Sequence, residues 1–439
     1  MSSTPTIDPA ALAASAGTPA EIVDAITELE DLKTRASAAQ ARLSARLDRL
    51  VREQHRDLRL PTPEQGRGVA SMVGLARRES PARGRRLLGL ANALTTELPC
   101  TLAAMEAGVL SEWRATLVAR ESACLDRETR AELDALLAAP DASGRYPFAS
   151  WGDRRLVAEA QKVVARLDPR ALVERRARAE AERRVSLRPA PDTMAQLSAL
   201  LPAAQGVAVW ATLGRLADQA VASGDERSRS QIMADTLVER ITGQARASAV
   251  PITVNLVVSD ETLLGEGHEP AWLQSFGPIS AEAAHDVTDR ARTDAVAEVR
   301  RLYTAPASGE LVAMDAQSRF FPAALATFLE LRDRTCRTPW CDAPIRQADH
   351  IVPAAAGGPT TATNGQGLCQ QCNLAKQAVG WRTRPITGPP GGLDHRHTVE
   401  TTLPTGHVFH STAPEAPMPA TSRRHADLRW LRRGLIIAA

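Results

Sequence analysis

The chain has 439 residues, of which 44% are hydrophobic and 24% are charged, and its formal net charge is only +2. This length allows two or three domains with buried cores, and the balance of charge excludes a protein that coats nucleic acid through overall positive charge. No run approaches 18 apolar residues, so no transmembrane helix and no membrane partner are expected.

The first predicted elements are a leader and a long helix. Residues 1–18 are rich in Ser, Thr and Pro and predict a disordered leader. From residue 20 to about 58, apolar residues recur at helical spacing and predict an amphipathic helix with a break near Ser37. Its apolar face is expected to pack on its own domain, and the alternative is a coiled-coil seam that makes a homodimer through this N-terminal helix. The apolar positions are Ile22, Ile26, Leu29, Leu32, Leu43, Leu47 and Leu50.

The following two hundred residues also read as mainly helical. Aromatic residues are only 3% of the chain, whereas alanine, leucine and arginine abound, and this mixture favours helix over strand. Helices are predicted within residues 66–139 and 151–186, and again over 192–222 and 227–243. The segment Val250–Ser259 is β-branched and is the only convincing strand in the first three hundred residues.

Four of the six cysteines lie in one stretch near the C-terminal end of the chain. Cys336 and Cys341 form one close pair, and Cys369 and Cys372 form a second after 27 intervening residues. Two short-range pairs across such a gap are the layout of a tetrahedral zinc site, so a structural Zn²⁺ is predicted. The other two cysteines lie on helical patterns, and this usage indicates a reducing cytoplasm rather than disulfide bonds.

Polar residues within this stretch suggest chemistry beyond a zinc ribbon. Asp349-His350 and Asn364 lie between the cysteine pairs, and Asn373 follows the last cysteine. A neutral imidazole can take a proton from water near pH 7, and His350 is the only histidine of the stretch. Because consecutive side chains on a strand face opposite ways, both Asp349 and His350 can act only at a strand end or twisted turn.

This order of residues resembles the zinc-bearing HNH endonucleases, in which two strands and a helix hold one catalytic metal. The resemblance implies metal-dependent hydrolysis of DNA, with His350 as the general base and Asn364 as the middle asparagine. Asn364 is interpreted as orienting the loop that holds His350, by side-chain bonds to the backbone. Asp349 and Asn373 take the metal-binding positions. Asn373 is a departure, since many members carry histidine there, but its amide oxygen suits Mg²⁺ or Mn²⁺. The alternative is a zinc-stabilised nucleic-acid-binding protein with a weak or inactive nuclease centre.

DNA is therefore the predicted partner, and basic residues near the motif are the candidates to bind it. One of them follows Asn373 by about one helical turn and shares its face. Guanidinium and ammonium groups are the usual contacts to phosphate. The candidate phosphate contacts are Lys376, Arg332, Arg334, Arg337 and Arg382.

Four stretches ahead of the motif carry a second resemblance: ELPCTLAAMEAGVLSEWRA, RSRSQIMADTLVERITG, PITVNLVVSDETLLG and FGPISAEAAHDV. They resemble, in order, the actinobacterial domain of unknown function DUF222, also called the 13E12 repeat family, which precedes HNH nucleases and implies no chemistry by itself. The predicted organisation is a leader (1–18), a mainly α domain with one or a few short strands (19–310) and a small α+β zinc-braced HNH domain (311–384). A Pro/Gly-rich linker, a β-hairpin and a flexible basic tail complete it (385–439).

Overall fold

The computed structural model divides into two compact units. The first comprises Met1–Arg178, Pro339–Cys341 and Leu374–Trp381, and the second comprises Ala179–Thr338, Asp342–Asn373 and Arg382–Ala439. Within the described residues, no helix is both long enough and apolar enough to cross a membrane. The structure describes residues 8–191, 194–246, 256–259, 262, 267–274, 276–293, 321–386 and 396–415.

The N-terminal part is built from helices around a large apolar core, with a smaller apolar cluster between α2, α3 and α4. Several helices start at a side-chain cap: the side chains of Ser80, Ser111 and Asp126 each accept a hydrogen bond from the backbone N–H three residues later. Fully buried leucine, methionine, phenylalanine and alanine side chains fill the space between the helices. The helices are α1 (Pro9–Ser15), α2 (Pro19–Asp57), α3 (Val69–Ala76), α4 (Pro81–Thr96), α5 (Pro99–Glu106), α6 (Glu112–Glu121), α7 (Arg127–Ala138), α8 (Asp153–Leu167) and α9 (Pro169–Ala181).

Two details of this part differ from the sequence analysis. Helix α1 lies within the predicted disordered leader and is capped by the Asp8 side chain, whereas residues 1–7 lie outside the described residues. Helix α2 runs without the break predicted near Ser37. Its buried face is made of small side chains such as Ala38 and Ala41, which let neighbouring helices approach closely. Four of the seven apolar residues expected to face the core are exposed instead (Ile22, Ile26, Leu43 and Leu50), whereas Leu29, Leu32 and Leu47 are half-buried.

A β-hairpin that the sequence analysis missed follows α9. Strands β1 (Arg184–Ala190) and β2 (Met194–Leu200) pair antiparallel, with Leu187 opposite Leu197. Val185 and Leu187 alternate with polar neighbours, which is the period of a strand, yet the many arginines before them favoured a continued helix. The prediction of helix at the end of 151–186 and at the start of 192–222 is therefore wrong.

The hairpin leads into two helices and a small sheet. Of the predicted strand Val250–Ser259, only its last four residues are described, and they include β3. Strand β4 pairs with both β3 and β5 in an antiparallel sheet. These elements are α10 (Ala203–Ala222), α11 (Arg229–Thr242), β3 (Leu256–Val257), β4 (Ala271–Leu273), β5 (Gly277–Ile279) and α12 (Ala281–Thr293).

The C-terminal part is a small α+β region, which confirms the predicted fold class of a mainly α chain with such a region. Helix α13 (Ala323–Asp333) precedes the antiparallel strands β6 (Gln347–His350) and β7 (Gly365–Leu368), and helix α14 (Gln370–Lys376) follows them. A three-stranded antiparallel sheet comes next, in the order β10-β9-β8. Its strands are β8 (Arg382–Ile386), β9 (Thr398–Thr402) and β10 (Val408–Thr412).

The boundary predicted at residue 384 falls inside strand β8. Because β8 pairs with β9, the folded C-terminal region continues to the end of β10 at Thr412. The predicted hairpin therefore belongs to a sheet rather than to a separate appendage. Residues 387–395 of the predicted linker and residues 416–439 of the predicted tail lie outside the described residues.

Candidate functional site

The four clustered cysteines form a metal-binding group. The Sγ atoms of Cys336, Cys341, Cys369 and Cys372 all lie within 4.8 Å of one another, and all four residues are buried. A tetrahedral zinc ion bound by four thiolates has Zn–S distances of about 2.3 Å, which suits such a group. The backbone N–H of Cys372 donates to Sγ of Cys369 over 3.4 Å, and such a bond stabilises a thiolate. The donor set fits the predicted structural zinc.

The pairing of β6 with β7 places the Asp-His dipeptide. Asp349 lies opposite Gln366, and His350, the last residue of β6, lies opposite Gly365. The dipeptide thus occupies the strand end that the sequence analysis required for both side chains to serve one site. Nε2 of His350 lies 2.9 Å from Oγ1 of Thr360, and its ring packs against Phe321 with centroids 4.4 Å apart. These contacts fix the imidazole on two sides.

Asn364 holds together the loop that connects the two strands. Its side-chain oxygen accepts from the N–H of Val352 (2.9 Å), and its amide nitrogen donates to the carbonyls of Val352 (3.0 Å) and Pro359 (2.8 Å). Only 3% of Asn364 is exposed. A Cβ on Gly358 would collide with the Val352 carbonyl oxygen, so this close approach requires glycine. Side-chain bonds to the loop backbone are what the sequence analysis expected of Asn364.

The two residues at the predicted metal-binding positions each contact a glutamine of the sheet. Nε2 of Gln366 donates to Oδ2 of Asp349 over 3.0 Å, and Nδ2 of Asn373 donates to Oε1 of Gln347 over 2.5 Å. Carboxylate and amide oxygens are hard donors that suit Mg²⁺ or Mn²⁺, which usually takes one or two protein carboxylates and completes its shell with water and phosphate oxygens. The donor set therefore fits such a cation.

The basic residues predicted to contact phosphate fall into three groups. Arg332 and Arg337 are only 3% and 4% exposed, so the prediction that they bind phosphate is revised. Arg334 is half-buried over the ring of Trp272, 4.6 Å from its centroid. Burial lowers the pKa of its guanidinium. Lys376 is partly exposed and Arg382 is exposed, so these two keep positions suited to a phosphate contact.

Arg332 and Asp333 form a buried clamp that holds strand β7 in place. The Arg332 guanidinium pairs with Asp333 at 2.7 Å and donates to the carbonyls of Ala362 (2.7 Å) and Gly365 (2.8 Å). The Asp333 carboxylate accepts from the N–H of Gly367 over 2.7 Å. A buried ion pair is tolerated when further hydrogen bonds satisfy both partners, as they do here. The clamp fixes the strand that carries Gln366 opposite Asp349.

The C-terminal sheet is attached to the same region by buried polar contacts. The Arg337 guanidinium donates to the carbonyl of His397 over 3.0 Å and to that of Ser411. Nε2–H of His397 donates to the carbonyl of Thr363, next to Asn364, over 2.9 Å. Burial, reinforced by the positive charge of Arg332, lowers the pKa of His397 to about 4. The hairpin thus supports the loop that carries Asn364.

The low pKa of His397 predicts a loss of stability in mild acid. The folded state binds the proton less well than the unfolded chain, so stability is full above about pH 6.5 and falls as the pH drops toward 4. The loss from this residue is up to about 3 kcal/mol, at 1.36 kcal/mol for each pKa unit. His397→Gln, which keeps a donor but does not titrate, should flatten the dependence. Urea unfolding at pH 4.5 and pH 7 measures it, and an equal acid loss in both proteins contradicts the assignment.

The sequence analysis missed several residues of this site: Phe321, Asp333, Gln347, Thr360, Gln366 and His397. Gln347 precedes Asp349 by two positions, and this spacing alone places both side chains on one face of a strand. The contact of Gln366 with Asp349 depends on the register of β6 and β7, which no local pattern reveals.

Comparisons with known proteins bear on the whole chain. No solved structure matches it. The uncharacterized protein Rv2100 of Mycobacterium tuberculosis H37Rv is 33% identical over 133 residues, which cover 26% of this chain and 22% of that protein. The uncharacterized protein Rv3776 of the same organism is 35% identical over 111 residues, covering 22% of this chain and 21% of that protein. The chain thus spans about a fifth of the length of the curated relatives it matches.

Two family models match the chain in the predicted order. The model of the domain of unknown function DUF222 matches residues 30–333, and that of the HNH endonuclease domain matches residues 336–378. Both resemblances stated from the sequence are confirmed. The chain belongs to the DUF222 family and carries an HNH endonuclease domain directly behind its DUF222 region.

Proposed function

We propose that this protein is a metal-dependent endonuclease that hydrolyses phosphodiester bonds of DNA. The observation that carries the proposal is the position of Asp349 and His350 at the end of β6, within the region that matches the HNH endonuclease model. The four-cysteine group braces the same region. A structural zinc ribbon alone accounts for the cysteines but gives no reason for an Asp-His pair at that strand end.

The chemistry follows from the side chains of this site. In the proposed tautomer, Nε2–H of His350 donates a hydrogen bond to Oγ1 of Thr360, 2.9 Å away, and Nδ1 accepts the proton of the attacking water. Asn364 keeps the loop that faces the imidazole in place. Asp349 and Asn373 would hold a Mg²⁺ or Mn²⁺ ion, which when bound would neutralise charge on the phosphate and stabilise the leaving oxygen.

Binding to DNA requires positive charge near this site. Lys376 and Arg382 remain the proposed phosphate contacts, and Arg346, exposed directly before β6, joins them. Since the formal net charge of the chain is only +2, this attraction is local, and the affinity should fall as salt is added.

A plasmid-nicking assay separates the nuclease from its alternative. The full-length, zinc-loaded protein is incubated with supercoiled plasmid in Mg²⁺ or Mn²⁺, with and without EDTA. Conversion to nicked or linear plasmid that EDTA abolishes supports the nuclease. Retarded migration of DNA without cleavage in either metal supports a zinc-stabilised nucleic-acid-binding protein instead.

The contact between His350 and Thr360 gives a prediction for the rate. Thr360→Val keeps the shape of the side chain but removes the hydroxyl that holds Nε2, so single-turnover nicking should slow about 3- to 10-fold, the worth of one hydrogen bond. Thr360→Ser should keep most of the rate. DNA binding, followed by fluorescence anisotropy, should not change in either variant. A Val variant as fast as the parent protein contradicts the proposed tautomer.

Two further expectations, on oligomeric state and on location in the cell, remain proposals. A homodimer through helix α2 is favoured by the exposed side chains of Ile22 and Ile26, which lie one turn apart on the same face. Cytoplasmic location remains an inference from the six cysteines, all of which lie in the described residues. Four of them form the metal-binding group and none is in a disulfide bond.

A further inference from the structure

We propose that Gln347 is a positioning residue that turns the side-chain oxygen of Asn373 toward the catalytic cation. The proposal rests on the nuclease function proposed above, because it assigns a partner to one of the two residues at the metal-binding positions. It also explains how asparagine serves at a position where many HNH nucleases carry histidine.

The strand places Gln347 where this contact is possible. Gln347 and Asp349 are two residues apart on β6, so their side chains point to the same face of the sheet. Asn373 enters from α14, and its Nδ2 donates to Oε1 of Gln347 over 2.5 Å. One residue of the sheet thereby connects the strand that carries Asp349 to the helix that carries Asn373.

The chemistry of the amide makes this contact decisive. An asparagine side chain ends in one oxygen and one NH₂ group of nearly equal size, and only the oxygen can bind a cation. The side chain can turn over by rotation about its last bond, so a hydrogen-bond partner has to set its direction. A glutamine oxygen that accepts from Nδ2 fixes the orientation in which the asparagine oxygen is the ligand. Outer contacts of this kind typically change metal affinity about 10- to 100-fold.

The other proposed ligand, Asp349, is also bonded to a glutamine of the sheet. Gln366 lies opposite Asp349 in the register of β6 and β7, and its Nε2 donates to Oδ2 of Asp349 over 3.0 Å. Gln366 is only 2% exposed, so its direction is fixed by packing. Glutamine side chains of the sheet therefore orient both proposed ligands. Gln347 is the more informative residue to test. An amide ligand can turn its NH₂ group toward the cation, whereas either oxygen of a carboxylate can bind it.

The test measures binding of Mn²⁺ to the full-length, zinc-loaded protein by electron paramagnetic resonance, without DNA. Gln347→Met removes the accepting oxygen and keeps the length of the side chain, and it should weaken Mn²⁺ binding about 10- to 100-fold. Gln347→Glu keeps an acceptor and should bind Mn²⁺ at least as tightly as the parent protein. Gln370→Met makes the same chemical change at an exposed position at the start of α14, and Mn²⁺ affinity should not change.

A second pair of variants separates orientation from simple damage. In Asn373→Asp both terminal side-chain atoms are oxygens, so adding Gln347→Met should weaken Mn²⁺ binding less than about twofold. If Gln347→Met causes the same loss of affinity with Asn373→Asp as it does without it, the proposal is overturned, as it is by unchanged affinity in Gln347→Met alone. The proposal is also overturned if Asp349→Ala binds Mn²⁺ as tightly as the parent protein. Zinc content and the thermal midpoint should stay at parent values in every variant.

Plasmid nicking is measured in parallel to keep the two proposals distinguishable. If Mn²⁺ affinity follows the expected pattern but neither the parent protein nor any variant cuts DNA, the positioning role stands and the nuclease function fails. If the parent protein cuts DNA and Gln347→Met binds Mn²⁺ as tightly as the parent, the nuclease stands and the positioning role is wrong.

Discussion

Replacing Cys369 by serine should release the structural zinc and unfold the region that matches the HNH model. Cys369 is buried, and its sulfur lies within 4.8 Å of the three other cysteine sulfurs. A serine hydroxyl stays protonated at neutral pH and is a poor ligand for zinc, so the tetrahedron loses one corner. In domains of this size the energy of zinc binding, about 10–16 kcal/mol in zinc-finger peptides, is also the energy of folding.

Zinc content and limited proteolysis measure this effect. Cys369→Ser should lose bound zinc and become rapidly cleaved within residues 336–378. Cys100→Ser is the matched control, because Cys100 packs against the helical core and the same exchange there should leave zinc content unchanged. Burial raises the pKa of the Cys100 thiol, which fits a packing residue rather than a ligand. A Cys369→Ser protein that keeps its zinc and its protease resistance refutes the four-cysteine site.

The four-cysteine group and the position of the Asp-His dipeptide at a strand end were predictable from the sequence. Ligand type and spacing are local properties, so two cysteine pairs are enough to indicate zinc. Both side chains of the Asp-His dipeptide can act only at a strand end or twisted turn, and β6 ends at His350. The loop bonds of Asn364 followed from the tendency of asparagine to bond to nearby backbone groups.

The burial of two of the arginines was not predictable in this way. Arg332 and Arg337 look like exposed cations in the sequence, but both are buried, where they contact Asp333 and several carbonyl groups. Those carbonyls come from residues 30 to 74 positions further along the chain, and only the folded chain brings them near. The same holds for His397, whose partner Thr363 lies on another loop.

Helix α2 illustrates a different limit. Periodicity identified the helix itself, but it assigned the buried face to the largest apolar residues. The helix packs instead through alanines such as Ala38 and Ala41, because small side chains allow close contact between helices. Hydrophobic periodicity therefore identified the element but only part of its buried face, since Leu47 packs half-buried against the cluster that contains Val51.

Replacing His350 by alanine should abolish cleavage while leaving the fold intact. Four cysteines complete the zinc site without His350, so zinc content and helicity should stay at the values of the parent protein. In the proposed mechanism the imidazole accepts the proton of the attacking water, and loss of a general base typically slows a reaction about 10²- to 10⁴-fold. DNA binding should also persist, because phosphate contacts are proposed for Lys376, Arg382 and Arg346 instead.

The proposed ligands of the catalytic cation should behave differently from the base. Asp349→Ala removes an oxygen that is proposed to bind the metal, so its main effect should be a lower metal affinity. Excess Mn²⁺ can then restore part of the rate by mass action. No concentration of metal supplies a proton acceptor, and the His350 variant should stay slow throughout.

The most direct test is the plasmid-nicking rate as a function of Mn²⁺ concentration for the parent protein, Asp349→Ala and His350→Ala. We expect the Asp349 curve to shift to higher Mn²⁺ and recover part of the rate, and the His350 curve to stay flat and about 10²- to 10⁴-fold lower. A His350→Ala protein that cuts DNA as fast as the parent, or that recovers with added Mn²⁺, contradicts the assignment of His350 as the base and with it the proposed mechanism.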